Sequence, residues 1–236
     1  NSFGQLGQGN TTQIGDGANE MGNNLSAVEL GTGRTAVAIT AGINHYAVIL
    51  DNGSVKTWGR GNYGKLGQEH NSTIGNGPNE MGDNLPIVDL GIGRTAIAIE
   101  AGYQHTTVIL DNGSVKVWGR NNYGQIGNGS DTSELSSPTE VLGITNAVEV
   151  DLGNEFSCAR LSDKTVKCWG YLANGRLGYG VGPVSAPVYN VSTAKEISMG
   201  TNHSCVLNDN GTVKCWGEGD NGRLGDGYIT DRPYPV

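Results

Sequence analysis

Four cysteines, three histidines that recur in register and two oxygen-rich loops are the side chains here whose type and spacing could do chemistry. The cysteines form two pairs, Cys158 with Cys168 and Cys205 with Cys215. Each pair flanks a short polar turn, Asp209-Asn210-Gly211 in the second case. A three-residue hairpin loop would set Cys205 opposite Cys215. Opposed residues of a non-hydrogen-bonded pair have Cα atoms about 4.5 Å apart, within disulfide range. Two disulfides inside hairpins are therefore expected, each closing a short loop and adding up to ~3 kcal/mol. Four buried thiols in a reducing compartment are the alternative. The spacing is not that of the short Cys-x-x-Cys pairs that hold zinc. Disulfides would place the protein outside the cytosol: extracellular, on the cell surface or periplasmic.

His45, His105 and His203 recur at one place, and Phe156 stands at the fourth. A phenylalanine fills the same space but cannot accept a proton, so packing or hydrogen bonding is the expected role. Trp58, Trp118, Trp169 and Trp216 recur as strictly and are expected to pack at strand ends. One loop holds Asp16, Glu20, Asn23 and Asn24, and the other holds Asn76, Glu80, Asp83 and Asn84. Such loops can bind Ca²⁺, but the regular spacing of a calcium loop is missing, and a solvated turn is the stronger reading. No nucleophile elbow, phosphate loop, metalloprotease helix or dinucleotide fingerprint occurs. No catalytic residue, resident metal or cofactor is assigned.

The elements that must position these residues come from internal repetition. Residues 1–60 align with 61–120 without a gap, a period of about 60. Within each copy, Ala41-Gly42-Ile43-Asn44-His45 leads to Asp51-Asn52-Gly53-Ser54-Val55-Lys56-Thr57-Trp58-Gly59. More distant copies end at Cys168-Trp169-Gly170 and Cys215-Trp216-Gly217. After each Trp-Gly comes a box: Gly64-Lys65-Leu66-Gly67, Gly124-Gln125-Ile126-Gly127, Gly175-Arg176-Leu177-Gly178 and Gly222-Arg223-Leu224-Gly225. A fifth box, Gly4-Gln5-Leu6-Gly7, opens the chain. The units read as 1–60, 61–120, 121–170, 171–217 and a partial 218–236. Both ends fall inside a unit, so one domain excised from a longer array is expected.

Tyr46-Ala47-Val48-Ile49-Leu50 reads as a strand buried on both faces. Asp51-Asn52-Gly53 is a hairpin signal, and Ser54-Val55-Lys56-Thr57-Trp58 is the return strand. Ala36-Val37-Ala38-Ile39 adds a third strand. The 39 glycines demand many turns, and the chain has no helical periodicity. A sheet covered on both faces must then be covered by other sheets, which radial stacking achieves with short edges. An open β-solenoid is the competitor.

The order Gly-x-x-His, Asp-Asn-Gly-x-Val-Lys-x-Trp-Gly, Asn-x-x-Gly-x-Leu-Gly resembles the repeat of the regulator-of-chromosome-condensation family over essentially the whole chain. The resemblance implies an all-β propeller, commonly of seven blades with four mainly antiparallel strands each, of which four hairpins supply about four. It also implies a non-enzymatic scaffold that binds a protein through loops on its faces. Members include a nucleotide-exchange factor for a small GTPase and a β-lactamase inhibitor. A plant member uses tryptophans of Gly-Trp-Arg-His-Thr elements as its chromophore, but Ile43, Tyr103 and Thr201 occupy that tryptophan place here. A secreted inhibitor and a structural segment of a large extracellular assembly are the alternative functions. The net charge of −8 argues against nucleic acid and anionic membranes as partners. No apolar run reaches a membrane span. Self-association of the repeats stays open.

Overall fold

A computed structural model describes residues 1–130, 132–179 and 185–236. Each repeat folds first as a hairpin. In the first, β1 (Ala36–Ala41), β2 (His45–Leu50) and β3 (Val55–Gly59) form an antiparallel sheet in that order. The β2–β3 turn is three residues long: Leu50 N–H donates to Ser54 O, and Gly53 N–H donates to Leu50 O. Gly53 closes it at φ +77°, a conformation that a Cβ disfavours. Asn52 Oδ1 accepts both the N–H and the hydroxyl of Ser54, locking the turn.

The pattern recurs three times. The second blade contains β4 (Ala96–Ala101), β5 (His105–Leu110), β6 (Val115–Arg120) and β7 (Glu134–Glu140). The third contains β8 (Ala147–Leu152), β9 (Phe156–Leu161), β10 (Val166–Gly170) and β11 (Ala186–Pro187). The fourth contains β12 (Ala194–Met199), β13 (His203–Asn208) and β14 (Val213–Gly217). The inner strands β1, β4, β8 and β12 each begin with a buried or edge alanine and a β-bulge, and adjacent inner strands touch in chain order. The middle strand β5 is buried along its whole length, as an apolar run without alternation requires.

Outer strands are the least regular elements. In the first blade the fourth strand is reduced to two bridges, Gly59 with Ile74 and Lys56 with Ile87. In the fourth it is the Gly217–Arg232 bridge and two bonds between Cys215 and Val236. Each outer strand follows the next unit's Gly-x-Leu-Gly box, so blades straddle the sequence units. Ser137-Pro138-Thr139-Glu140, inside the unit 121–170, is the rim of the second blade. Pro138 is tolerated because an edge strand need not donate on its outer side.

The third hairpin departs from the others. Lys164 occupies the turn position of Gly53, Gly113 and Gly211 and carries φ +67°. Its ammonium lies 2.5 Å from Asp209 in an exposed pair, which contributes at most about 1 kcal/mol. Lys164→Gly is expected to raise stability by roughly 0.5–1 kcal/mol through relief of the left-handed backbone, net of the lost pair. Urea unfolding midpoints of the two proteins measure this; an unchanged or lowered midpoint contradicts it.

Candidate functional site

The cysteine pairs meet as the hairpin register requires. Cys158 faces Cys168 and Cys205 faces Cys215, with sulfurs 2.06 and 2.08 Å apart and Cα atoms 4.1 Å apart. The first bridge is buried between the third and fourth blades beside Ile197 and Val206.

The histidines and tryptophans build the frame. Each indole N–H donates to the carbonyl of the second residue of a box: Trp58 to Gln5, Trp118 to Lys65, Trp169 to Gln125 and Trp216 to Arg176, at 2.8–2.9 Å. His45 Nε2 lies 2.9 Å from the Thr106 hydroxyl, which itself donates to Lys65 O. The hydroxyl therefore accepts from His45, fixing the Nε2–H tautomer. His105 makes the same contact with Ser157. Both rings are fully buried, and both pKa values are pushed down, to about 3 for His45 and about 4 for His105, chiefly by burial. Lys65 and His105 add to the effect on His45. His203 is only partly buried and is shifted in the same direction.

The long loops are folded by their own carboxylates. Glu20 Oε2 accepts the N–H groups of Gly15 and Gly17 at 2.8 and 2.7 Å, and Glu80 repeats this with Gly75 and Gly77. Those bonds hold the Glu20 carboxyl below its usual pKa. Asp83 reaches the preceding unit, where it accepts the N–H and hydroxyl of Thr32. Lys56 Nζ ties Leu30 O to Gly82 O beside it. Asp16, Asn23 and Asn76 stay exposed on the loops. Among the described residues no three His, Cys, Asp or Glu side chains are placed to share a metal ion.

A concave site lies elsewhere, at one mouth of the space between the inner strands. Its volume is about 650 Å³. Four equivalent turns line it, carrying Ile43, Tyr103, Asn154 and Thr201 after Gly42, Gly102, Gly153 and Gly200. Next to it, the residues after each Trp-Gly, Arg60, Arg120, Tyr171 and Glu218, donate their N–H groups to the turn carbonyls of Asn44, Gln104, Glu155 and Asn202. Arg120 stands over Tyr63 and Tyr123, with its Cζ 5.4 and 5.8 Å from the ring centroids, and pairs with Glu155 at 3.2 Å. Tyr123 and Tyr171 lie 4.2 Å apart, and Arg176 covers Tyr171 at 4.7 Å. Tyr63 holds φ +63°, where the equivalent positions carry Asn174 and Asn221.

The family description "Regulator of chromosome condensation (RCC1) repeat" matches residues 36–65, 96–125 and 194–223 in one form, and 52–109 and 112–160 in another. The chain belongs to the regulator of chromosome condensation repeat family. It is 35% identical over 149 residues to the human E3 ubiquitin-protein ligase HERC2, covering 63% of this chain and 3% of that one. It is 30% identical over 178 residues to the ultraviolet-B receptor UVR8 of Arabidopsis thaliana, covering 74% and 38%. Among solved structures, human WBSCR16 superposes with a TM-score of 0.78 at 20% identity, covering 100% of this chain and 60% of that one. Yeast RCC1 (Prp20), solved with Kap60, gives 0.72 at 20%, covering 87% and 49%. The chain thus spans under two thirds of each of these relatives.

Within this repeat family these residues read as ordinary repeat positions, since Arg120 copies Arg60, Tyr123 copies Tyr63 and Arg176 copies Arg223. Arg120, Tyr123 and Tyr171 were not singled out by the sequence, and Arg176 appeared there only as a box residue. The departure of Tyr171 from Arg60 and Arg120 after an invariant Trp-Gly was the available signal.

The buried histidines generate an acid sensitivity. Unfolded histidine titrates near pH 6.5, whereas His105 in the fold titrates near 4. Between those values only the unfolded chain binds the proton, so stability falls as pH falls, by about 3 kcal/mol for this group. His105→Phe, which copies Phe156, is expected to remove that share of the loss between pH 7 and pH 4. Urea unfolding of both proteins at both pH values measures it; equal pH dependence contradicts the burial account.

Proposed function

We propose that this chain is a non-enzymatic scaffold that binds a protein partner through the mouth face. The observation that carries the reading is the cluster of Arg120, Tyr63, Tyr123, Tyr171 and Arg176 beside the concave mouth. Tyrosine and arginine dominate interface energies: tyrosine offers large contact area with few rotatable bonds, and arginine a planar guanidinium with directed hydrogen bonds. They project here from turns whose backbone is set by buried bonds below, so little ordering cost attends binding. Relatives named as a ubiquitin ligase, an ultraviolet-B receptor and a secretion-regulating guanine nucleotide exchange factor share the repeat. Such unlike activities on one repeat support a common scaffold rather than common chemistry.

A partner captured from the native source on the immobilised chain provides the test. Arg120→Ala and Tyr123→Ala are each expected to weaken its binding by roughly 30-fold or more, the range of interface hot spots. Asp16→Ala, on the rim loop, is expected to leave it unchanged. Full binding by both mouth variants sinks this reading.

We infer also that the protein works in an oxidising compartment, outside the cytosol. All four cysteines are paired across hairpins, and such pairs persist only where thiols are not kept reduced. Alkylation of protein from its native source is expected to label no cysteine before reduction and all four afterwards. Four reactive thiols in the unreduced protein would place it elsewhere. The near-identity of the first two units favours a second reading, a segment of a large extracellular array, because array proteins grow by duplicating units.

A further inference from the structure

Charge is unbalanced at one junction of the mouth. At each junction the residue after Trp-Gly and the second residue of the next box approach the turn of the following blade. Between the second and third blades, Arg120 pairs with the turn carboxylate of Glu155 at 3.2 Å. Between the third and fourth, Arg176 donates to Asn202 and has the carboxylates of Glu155, Glu218 and Asp231 within electrostatic reach. Between the first and second, Gln104 stands where Glu155 does, and its side-chain oxygen accepts from Lys65 Nζ at 2.8 Å. Burial, and then the like charge of Arg60, push the Lys65 pKa down to about 8. Among the described residues neither Arg60 nor Lys65 forms an ion pair. In a chain with 23 acidic residues against 15 basic ones, this junction holds two cations and no anion.

Both sides of the junction are present. Arg120 takes its anion from the following blade and a ring, Tyr63, from the box before it. The counterparts around Arg60 are Gln104 and Phe3, and both are in place. The difference is one of residue type, glutamine for glutamate. Arg60 is half-buried, with its Cζ 4.6 Å from the Phe3 ring centroid. A ring on one face of a guanidinium leaves its N–H edge for an acceptor in the plane. Arg60 also stands at the rim of the concave mouth, because its N–H donates to Asn44 O and Ile43 lines that mouth. A carboxylate brought from outside gains charge-assisted hydrogen bonds there and offsets the cost of two unbalanced cations.

We propose that Arg60 receives a glutamate or aspartate side chain of the protein partner, seated as Glu155 is seated on Arg120. The assignment rests on the mouth-face reading and names the partner's chemistry at the first junction. Lys65 is fully buried, so it adds to the local field and leaves the contact to Arg60. The net charge of −8 opposes a polyanion, so a single inserted carboxylate is what this place selects.

The acetylated and amidated tripeptide Gly-Glu-Gly, titrated to tens of millimolar at low salt, tests this, with Gly-Gln-Gly as neutral control. Arginine Nε–H signals of the nitrogen-labelled chain are followed by NMR, and the Arg60 signal is the one absent from Arg60→Gln. Saturable movement of that signal by the glutamate peptide alone is expected. Gln104→Glu supplies the carboxylate from within, and is expected to weaken the peptide by roughly tenfold or more, the coupling of a close charge pair. Arg60→Gln is expected to weaken the captured partner by a similar factor, and it decides the matter if Gln104→Glu loses the parent circular dichroism. An unmoved Arg60 signal, equal movement by the neutral peptide, or full peptide binding by a folded Gln104→Glu protein overturns the proposal. Unchanged partner binding by Arg60→Gln overturns it too. The mouth-face reading fails separately, when Arg120→Ala and Tyr123→Ala keep the partner, and the peptide titration does not depend on that outcome.

Discussion

The buried indole hydrogen bond is the constraint on which the rest of the structure depends. An indole N–H left unpaired in the core costs roughly 1–3 kcal/mol, so each tryptophan needs a carbonyl brought to it. The carbonyl comes from the Gly-x-Leu-Gly box, on the connection between one blade and the next. In the second box the Thr57 hydroxyl of the blade before donates to Leu66 O, while Trp118 and Thr106 of the blade after donate to Lys65 O. One tetrapeptide thus staples two blades. Its last glycine lies against the ring: a Cβ on Gly67 would fall 2.8 Å from the Trp118 indole nitrogen, and the backbone there has φ +69°. Tryptophan and box glycine are two halves of one contact.

Side-chain clasps follow the same path. Lys65 donates to Gln104, Arg176 to Asn202 and Gln5 to Asn44, always from a box to the turn of the next blade. Lys65 is completely buried, and burial lowers its pKa to about 8, with Arg60 adding to the effect. At the junction of the second and third blades, Gln125 instead accepts the N–H of Tyr123. The aromatic cluster around Arg120 and the replacement of histidine by Phe156 belong to this same junction. The frame is least repetitive where the mouth is richest in tyrosine and arginine. That coincidence is expected when binding residues are grafted onto a scaffold whose stability resides elsewhere.

The long loops illustrate the opposite outcome. Their acidic residues suggest binding, yet Glu20 and Glu80 spend an oxygen on their own glycine N–H groups, and Asp83 clasps Thr32 of the unit before. A carboxylate in a glycine-rich turn is surrounded by unpaired backbone donors, and satisfying them is its nearest role. These loops interrupt the outer rim and tie neighbouring units together. They do not enter the concave mouth.

The sequence by itself determined the strands, the three-residue turns and the pairing of the cysteines. All of these are set by contacts within about a dozen residues, where a period of two and a glycine at positive φ leave one register. It also pointed to a frame role for His45, Trp58 and their copies, since Phe156 fills the same place without accepting a proton. Tertiary structure alone decided which units touch. The straddling of blades across unit boundaries, the reach of Trp118 to Lys65 and the meetings of Arg120 with Tyr63 and of Tyr123 with Tyr171 join residues far apart along the chain. Their partners are chosen by the curvature of the blade stack, a global quantity that no local pattern of residues encodes.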